Sequence, residues 1–392
     1  MTDTSPVIPT DASKTLEELN SASLEELYEI YDQLVEDQYE QYSKFLSDNN
    51  LSFIQTLNQS GANEYTGDTK RGLALSGGGV RGYITVLILE KLQDKLREIK
   101  GEPSFDIVDE FDYFGGTSIG GIIALALAHG VKLHELRDLF VKEAGNIFYI
   151  PFVDRIPGIG WVTKNGKRFF KGIFDVKPLE QKLQQYFKNE KGEDAYLGEI
   201  KTKKPVVVTA AGSDGVPVYF SNLNSSDHKY KIWEVARCTS AAPTYFDPHC
   251  FSNDPNPEKP TWYTDGGLFA NNPSTVLTAV MSKNSIPLSK IYVLSLGTGQ
   301  TKTPKPKQLK QLGFSDIITI MDLVMDTTFR SIDLSMKMIL AQNYLNINPM
   351  LESEIDMADA SKIPEMKAQF ENDAPRVLKL IQNYIDTFYQ LE

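Results

Sequence analysis

The chain contains 392 residues, of which 41% are hydrophobic and 23% charged, the ordinary balance of a globular protein. No apolar run approaches the ~20 residues that a helix needs to span a bilayer, so we expect no membrane-spanning protein. The formal net charge of −12 argues against a general nucleic-acid-binding role, because such proteins present clustered positive charge.

The cysteines and the first residues narrow the class further. Cys238 and Cys250 are too few for a disulfide scaffold or a cysteine-based zinc site, so we expect a reducing compartment and neither metal nor cofactor. The chain begins with polar and acidic residues, without the basic and apolar regions of a secretory signal peptide. We therefore expect a cytoplasmic protein that acts peripherally at membranes. Export by a route that needs no such peptide stays open.

Most of the negative charge lies at the N-terminus, where residues 1–70 contain 14 Asp or Glu and 3 Lys. Two capping boxes and a helical apolar stripe predict a long amphipathic helix, which is followed by a linker. The stripe is formed by Leu24, Leu27, Tyr31 and Leu34. We expect this acidic helical extension either to dock on the rest of the chain or to bind a protein partner or regulator.

A glycine-rich turn opens the next part of the chain. The short apolar strand 72–75 leads into Ser76-Gly77-Gly78-Gly79-Val80-Arg81-Gly82, and an amphipathic helix follows from Tyr83 to Arg97. Successive backbone N–H groups converge at such a turn, so it can bind a phosphate or a developing oxyanion. The glycine spacing also matches the dinucleotide-binding fingerprint, and a nucleotide-binding protein is therefore an alternative.

A second glycine-rich turn follows the next strand. Gly116-Thr117-Ser118-Ile119-Gly120 lies between an apolar strand and the buried helix 122–128, which is the context of a G-x-S-x-G nucleophile elbow. Glycines are required there because a Cβ would strike the neighbouring strand or helix. The elbow would present the Ser118 hydroxyl at the carboxyl end of a sheet. A serine that merely caps the helix is the alternative.

The helix predicted over residues 132–144 is followed by an apolar and aperiodic stretch, residues 147–171, which ends in several cations. One interpretation is a loop packed on the core. The other is a surface loop that inserts Phe152 and Trp161 into lipid while its cations meet phosphate.

The second half of the chain contains further strands and helices. Pro217 places one of these strands near a sheet edge, because proline cannot donate to a strand ladder. The predicted helices are 177–188 and 232–239, the predicted strands are 205–211, 216–220 and 291–296, and the tail from Asp316 is mostly helical.

An acidic turn, Asp265-Gly266-Gly267, is the best source of a catalytic base. A serine nucleophile needs a base within hydrogen-bond reach, and that base is usually a histidine. No histidine follows Asp265 in the chain, so a Ser, Asp, His order would need His228 or His249 with an earlier acid. That triad remains possible but has no supporting motif. A carboxylate is a weak base at its ordinary pKa, so burial would have to raise it.

The three motifs together, in this order, resemble the patatin-like phospholipase family over roughly residues 71–300. Three shorter segments also match the family's pattern: Ser240-Ala241-Ala242-Pro243, Asn271-Asn272-Pro273 and Leu296-Gly297-Thr298-Gly299. The resemblance implies a Ser118 nucleophile, an Asp265 base and an oxyanion hole formed by the backbone of Gly77, Gly78 and Gly79. Its supporting motif residues are Arg81, Gly82, Gly116, Gly120, Gly266 and Gly267; Arg81 would brace the glycine turn or bind a lipid phosphate.

The resemblance also implies a three-layer α/β/α fold with a mainly parallel central sheet. We expect an acidic extension over residues 1–70, a catalytic domain over 71–300 and a helical region over 301–392 packed on it. The expected function is hydrolysis of phospholipid or other lipid esters through an acyl-enzyme, as in a phospholipase A or lysophospholipase. The alternatives are nucleotide binding and a catalytically silent lipid-binding module.

Overall fold

The computed structural model describes residues 67–147, 174–254, 256, 258–301 and 317–389, and of residues 317–319 it describes the backbone alone. The acidic extension predicted before residue 67 therefore lies outside the described residues. So does nearly all of the apolar and cationic stretch predicted at 147–171. Both remain predictions.

The core of the described chain is a seven-stranded sheet in the order β4-β3-β2-β1-β6-β8, with β5 paired to β3. The five strands from β3 to β8 in that order are mutually parallel, whereas β4 and β5 are antiparallel to β3. A separate parallel ladder joins β7 and β9. The strands are β1 (Lys70–Leu75), β2 (Tyr113–Gly116), β3 (Val206–Gly212), β4 (Pro217–Ser221), β5 (Tyr263–Asp265), β6 (Ile291–Leu296), β7 (Gln300–Thr301), β8 (Tyr344–Ile347) and β9 (Met350–Leu351).

Helices cover both faces of this sheet. The α-helices are α1 (Gly82–Lys100), α2 (Ile107–Glu110), α3 (Ile119–Ala128), α4 (Leu133–Ile147), α5 (Val176–Tyr186), α6 (Ile232–Thr239), α7 (Gly267–Ala270), α8 (Ser274–Lys283), α9 (Ile317–Leu340) and α10 (Ile363–Tyr389). The helices predicted after the two glycine turns and over residues 232–239 are confirmed.

Continuous apolar runs form the inner strands because both faces of a parallel sheet are buried. Successive side chains of a strand point to opposite faces, so Leu73 and Leu75 join one hydrophobic core while Ala74 joins the other. The first core contains side chains of α1, α3, α4, α6 and α10, and the second contains those of α8 and the end of α9. This is the expected three-layer α/β/α arrangement.

The edge position predicted from Pro217 is confirmed, since β4 forms one end of the sheet and Pro217 pairs with Ala211. The tail from Asp316 is mostly helical, as predicted, in α9 and α10, but between them β8 extends the sheet beside β6. Residues 344–347 were missed because a four-residue strand between two long helices carries little periodicity of its own. The sheet therefore continues beyond residue 300.

Candidate active site

Ser118 lies at the tight turn between β2 and α3, in a backbone conformation that non-glycine residues rarely adopt. Its φ is 54° and its ψ is −128°, and its N–H donates to Thr239 Oγ1 at 2.9 Å. A Cβ on Gly116 would overlap the Gly120 carbonyl, and one on Gly120 would overlap the carbonyl of Leu75. The two glycines thus allow the chain to turn at the end of the sheet, and strain of this kind is often found at functional sites.

The sheet register brings Asp265 to the same end as Ser118. Gly116, the last residue of β2, pairs with Val208 of β3, and two residues further along β3, Ala210 pairs with Asp265. Since β4 occupies the other edge of β3, β5 continues the edge at which β2 ends. Ser118 also lies two residues beyond Gly116, so the pairing places serine and carboxylate side by side.

Asp265 is buried, with 1% of its surface exposed, and its Oδ1 accepts the N–H of Gly267 at 2.7 Å. Burial raises the pKa of this carboxyl to about 7, although hydrogen bonds from the Ser118 side chain and the Gly267 backbone act to lower it. Oδ2 has no hydrogen bond of full geometry to any described residue. Ser118 is thus near enough to influence the carboxyl but not tightly bonded to it, as is common before substrate arrives.

The glycine turn of residues 76–82 lies directly beside Ser118. The N–H of Gly77 donates to the Asn271 carbonyl at 3.0 Å, so Gly77 is not available as an oxyanion donor. The N–H groups of Gly78 and Gly79 donate to no acceptor in the part of the chain that the structure describes. Of the three backbone oxyanion donors that the resemblance implies, the N–H groups of Gly78 and Gly79 therefore remain available and that of Gly77 does not.

Long-range packing fixes this turn. A Cβ on Gly78 would lie 2.7 Å from Thr298 Cβ, and Gly79, at φ +58°, rests against the Met357 carbonyl. The backbone N–H of Arg81 donates to the Gly78 carbonyl at 3.1 Å, a bond that any residue other than proline could make. Bracing of the turn or binding of a lipid phosphate by the Arg81 side chain stays a prediction.

The remaining motif glycines allow close packing around the two turns. Gly82 lies against Ile119, because its Cβ would stand 2.6 Å from that side chain. Gly266 lies against the Thr209 backbone, where a Cβ would stand 2.6 Å from the carbonyl oxygen. Gly267 contributes the N–H that holds Asp265.

An apolar pocket of about 930 Å³, counted with its opening, begins at Ser118 and Gly79. Most of its walls come from α3, α4, α5 and residues 240–246, and they are almost entirely apolar. The lining includes Ile119, Ile122, Ala126, Leu136, Leu139, Phe140, Ala144, Ile147, Leu179, Leu183, Tyr186, Phe187, Ala242, Tyr245, Phe246, Met325 and Met357. Among the described residues that line it, the charged one is Lys182, which pairs with Glu143 Oε1 at 2.9 Å. Such a pocket fits a long hydrocarbon chain that reaches the serine.

The four histidines have other environments, and His134 is exposed on α4. Nε2 of His228 lies 2.8 Å from the Asn222 carbonyl oxygen, and Nε2 of His249 lies 3.8 Å from Glu234 Oε1. Nε2 of His129 lies 2.9 Å from the Lys188 carbonyl oxygen, and burial lowers the pKa of this ring. None of the four lines the pocket beside Ser118. The geometry therefore favours Asp265 over a histidine as the partner of Ser118.

Three residues at the site were not assigned a role from the sequence. Asn271 holds Gly77 through its carbonyl, Met325 of α9 lines the pocket, and Thr239 orients the Ser118 backbone. Asn271 carried a signal, since it lies in one of the shorter segments that match the family's pattern. The other two carried none, because their roles depend on contacts across more than 100 residues of chain.

Within the described ranges, no group of three or more His, Cys, Asp or Glu side chains is arranged to hold a metal ion. No helix among the same residues is long and apolar enough to cross a membrane.

Comparison with known proteins identifies the family. The sequence model of the patatin-like phospholipase family matches residues 73–278, which is more than half of the chain. A cGAMP-activated phospholipase of Vibrio cholerae is 33% identical over 259 residues, covering 63% of this chain and 69% of that protein. An Escherichia coli protein of the same name is 31% identical over 251 residues, covering 62% and 65%.

Among solved structures, VipD of Legionella pneumophila is similar to 81% of this chain over 67% of its own, with a TM-score of 0.42 and 16% identity. The family match includes both glycine turns and the Asp265 turn. The chain therefore belongs to the patatin-like phospholipase family of lipid acyl hydrolases.

Proposed function

We propose that Ser118 and Asp265 form a two-residue catalytic unit that hydrolyses lipid acyl esters, with Gly78 and Gly79 as oxyanion donors. The observation that carries this proposal is that the Asp265 carboxyl is buried beside Ser118. Burial raises the pKa of this carboxyl to about 7. A general base is most effective when its pKa lies near the working pH, because it is then both ionised and basic enough to take a proton.

The reaction follows from these positions. Asp265 takes the hydroxyl proton of Ser118 as Oγ attacks the ester carbonyl carbon. The two glycine N–H groups stabilise the oxyanion of the tetrahedral intermediate. The intermediate collapses, Asp265 returns the proton to the departing alcohol, and the acyl group remains on Ser118. Water then hydrolyses this acyl-enzyme, which releases the fatty acid.

The apolar pocket indicates the substrate class. Its walls leave space for a hydrocarbon chain whose carboxyl end lies at Ser118. Burying each methylene of such a chain contributes about 0.8 kcal/mol, so the pocket favours long-chain over short-chain esters. A phospholipid or lysophospholipid supplies such a chain, and products released from mixed lipids, measured by mass spectrometry, would identify the head group and acyl position.

Two alternatives are less well supported. A dinucleotide-binding turn needs an open helix N-terminus, whereas Gly77 and Gly79 here lie against Asn271 and Met357. A catalytically silent module has no need for a strained serine beside a buried carboxyl of raised pKa. Labelling with a fluorophosphonate serine probe, which requires a reactive Ser118, distinguishes the hydrolase from both alternatives.

The decisive experiment replaces each member of the unit. Ser118→Ala and Asp265→Ala should each lower turnover of a chromogenic ester by about 10⁴-fold or more, because nucleophile and base act together. His228→Ala and His249→Ala are the matched controls and should retain activity. Loss of turnover in a folded histidine variant would instead favour a Ser, Asp, His triad.

We further propose that a cyclic dinucleotide activates this hydrolase. The two bacterial relatives are named for activation by cGAMP, and each is more than 30% identical over more than 250 residues. Lipid hydrolysis measured with and without added cGAMP tests this, and an unchanged rate up to millimolar nucleotide would refute it.

We also propose that the enzyme acts in the cytoplasm at membrane surfaces and that residues 1–70 regulate it there. Their charge of −11 would repel anionic lipid, and the repulsion would be screened beyond about 8 Å at physiological salt. Deleting residues 1–68 should leave hydrolysis of soluble esters unchanged and raise hydrolysis of anionic vesicles at low salt. A gain that does not shrink as salt rises would contradict the electrostatic explanation.

A further inference from the structure

Two buried acceptor oxygens of the site have no hydrogen-bond donor in the described part of the chain. They are Oδ2 of Asp265 and Oδ1 of Asn271, and the two residues are 1% and 6% exposed. A buried oxygen without a hydrogen bond costs stability and is uncommon, so each calls for an explanation. The Ser118 hydroxyl accounts for the first before reaction, but no group among the described residues accounts for the second.

The orientation of the Asn271 amide follows from its other contacts. Its Nδ2 donates to the Met325 carbonyl oxygen at 3.3 Å. A carbonyl oxygen can only accept, so the nitrogen must face Met325 and Oδ1 must face away from it. The Asn271 carbonyl accepts the Gly77 N–H at 3.0 Å, so the residue is held from both ends.

Oδ1 of Asn271 lies near both the nucleophile and the base. A Cβ on Gly77 would overlap this oxygen and lie 3.1 Å from Ser118 Cβ. A Cβ on Gly267 would stand 3.4 Å from the same oxygen and 3.1 Å from Asp265 Oδ1. Asn271 Oδ1 therefore lies in the same small region of the fold as Ser118 Cβ and the Asp265 carboxylate.

We propose that Asn271 Oδ1 and Asp265 Oδ2 together bind the water that hydrolyses the acyl-enzyme. The inference rests on the proposed function, since it requires an acyl group on Ser118. Once Ser118 is acylated it has no proton to donate, and Asp265 Oδ2 loses its donor. A water has two hydrogens, one for each oxygen, and a lone pair left to face the acyl carbon.

The step balances as follows. The water oxygen bonds to the acyl carbon while Asp265 Oδ2 takes one water proton and Asn271 Oδ1 keeps its hydrogen bond to the other. The resulting tetrahedral intermediate breaks its bond to Ser118 Oγ, which receives the proton from Asp265. Free fatty acid and the original Ser118 hydroxyl result. Asn271 thus acts on a reactant of the second half of the reaction and not on the first half.

The test separates the two halves with a chromogenic ester under pre-steady-state conditions. In Asn271→Ala, acylation of Ser118, seen as the burst rate, should remain within about threefold of wild type. Deacylation, seen as the later steady rate, should slow on the order of 10²-fold, the cost of a misplaced reactant. Intact-protein mass spectrometry should then show the acyl-enzyme accumulating.

The matched control is Asn284→Ala. Asn284 also donates its amide to a backbone carbonyl, that of Val280 at 2.8 Å, but it lies at the end of α8 and does not line the pocket. Both rates should be unchanged in this variant. Equal slowing of acylation and deacylation in Asn271→Ala, or no slowing of either, would overturn the inference.

Two further results have distinct meanings. If wild-type enzyme forms no acyl-enzyme on Ser118 either with or without cGAMP, the proposed function fails and the inference with it. If Asn271→Ala does not fold, a high-resolution crystal structure of the wild type decides. A water within hydrogen-bond distance of both Asp265 Oδ2 and Asn271 Oδ1 supports the inference, and a protein donor on Asn271 Oδ1 overturns it.

Discussion

The turn that carries Ser118 and the turn that carries Asp265 meet at one site but are stabilised by different contacts. The Ser118 turn is shaped largely by its own residues, since Gly116 packs directly on the backbone of Gly120 and Gly121. The tight turn is therefore formed within a few residues of chain. The contacts of Gly120 with the Leu75 carbonyl and of the Ser118 N–H with Thr239 then hold it against the sheet.

The Asp265 turn depends on residues far away in sequence. Its short strand β5 pairs with β3, Gly266 packs against Thr209, and Thr328 Oγ1 of α9 donates to the Gly267 carbonyl at 3.4 Å. The tight turn that carries the nucleophile therefore depends mainly on residues near it in sequence, whereas the position of the base depends on contacts between distant segments. The burial that raises the pKa of Asp265 is supplied by the whole fold.

The largest effect should come from deforming the local turn. In Gly116→Ala, the new Cβ would lie 2.5 Å from Gly121 Cα and would overlap the Gly120 carbonyl. Backbone atoms at these positions cannot move without unwinding the elbow. We expect turnover of a soluble ester to fall by about 10³-fold or more, since small displacements of reacting groups cost about 10²-fold on their own.

Gly145→Ala is the control for this substitution. Gly145 lies within α4, and a Cβ there meets nothing within 4 Å. Activity and stability should match or slightly exceed those of wild type, because alanine is the better helix former. A folded Gly116→Ala enzyme of normal turnover would show that the elbow does not depend on its own glycines.

The next largest effect should come from the turn that supplies the oxyanion donors. In Gly78→Ala, the new Cβ would press on Thr298 and displace a donor N–H from the developing oxyanion. We expect a loss of about 10²-fold in kcat with a smaller change in KM, because the donor acts in the transition state. Near-normal turnover would remove Gly78 from the oxyanion hole.

The dependence of activity on pH tests the base. Asp265 must be ionised to accept the Ser118 proton, and its pKa is raised to about 7. For a soluble ester, kcat/KM should therefore rise about tenfold per pH unit below pH 6 and become level above pH 8. An apparent pKa near 4 would mean that burial does not act on Asp265 as the structure indicates.

The smallest effect is on stability and has a defined sign. Burial raises the pKa of Asp265 from 3.8 to about 7, so the folded state binds this proton more tightly than the unfolded state. Ionising Asp265 therefore lowers the free energy of unfolding as pH rises from about 4 to about 7. Asp265→Asn removes that cost and retains an acceptor for Gly267. Its Tm should exceed that of wild type by about 2–4 °C at pH 8 but not at pH 4.

Ser118→Ala is the control for this measurement, because it ends turnover while leaving the buried carboxylate in place. Its Tm should show no comparable rise between pH 4 and pH 8 relative to wild type. If Asp265→Asn melts at or below the wild-type temperature at pH 8, the charged carboxylate is not the destabilising group.

The sequence by itself determined the features that act over short stretches of chain. The glycines around Ser118 and around Gly78 predict strand-turn-helix units, because each cluster lies between an apolar strand and a helix, where a tight turn needs residues without a Cβ. The apolar runs at residues 72–75 and 291–296 predict inner parallel strands, since such strands are buried on both faces. Together with the Asp265 turn they carry the family resemblance, which implied the α/β/α fold and the candidate pair Ser118 and Asp265.

Only the tertiary structure decided how those parts meet. The register of β3 brings Asp265 to Ser118, and the fold around the carboxyl sets its pKa. The Gly77 N–H donates to the Asn271 carbonyl, which lies almost 200 residues later in the chain. No pattern in the sequence near either residue indicates this hydrogen bond. Hydrogen-bond partners and desolvation depend on distances between remote segments. Periodicity and motif spacing depend only on residues that are close in sequence, so they cannot give the distances between remote segments.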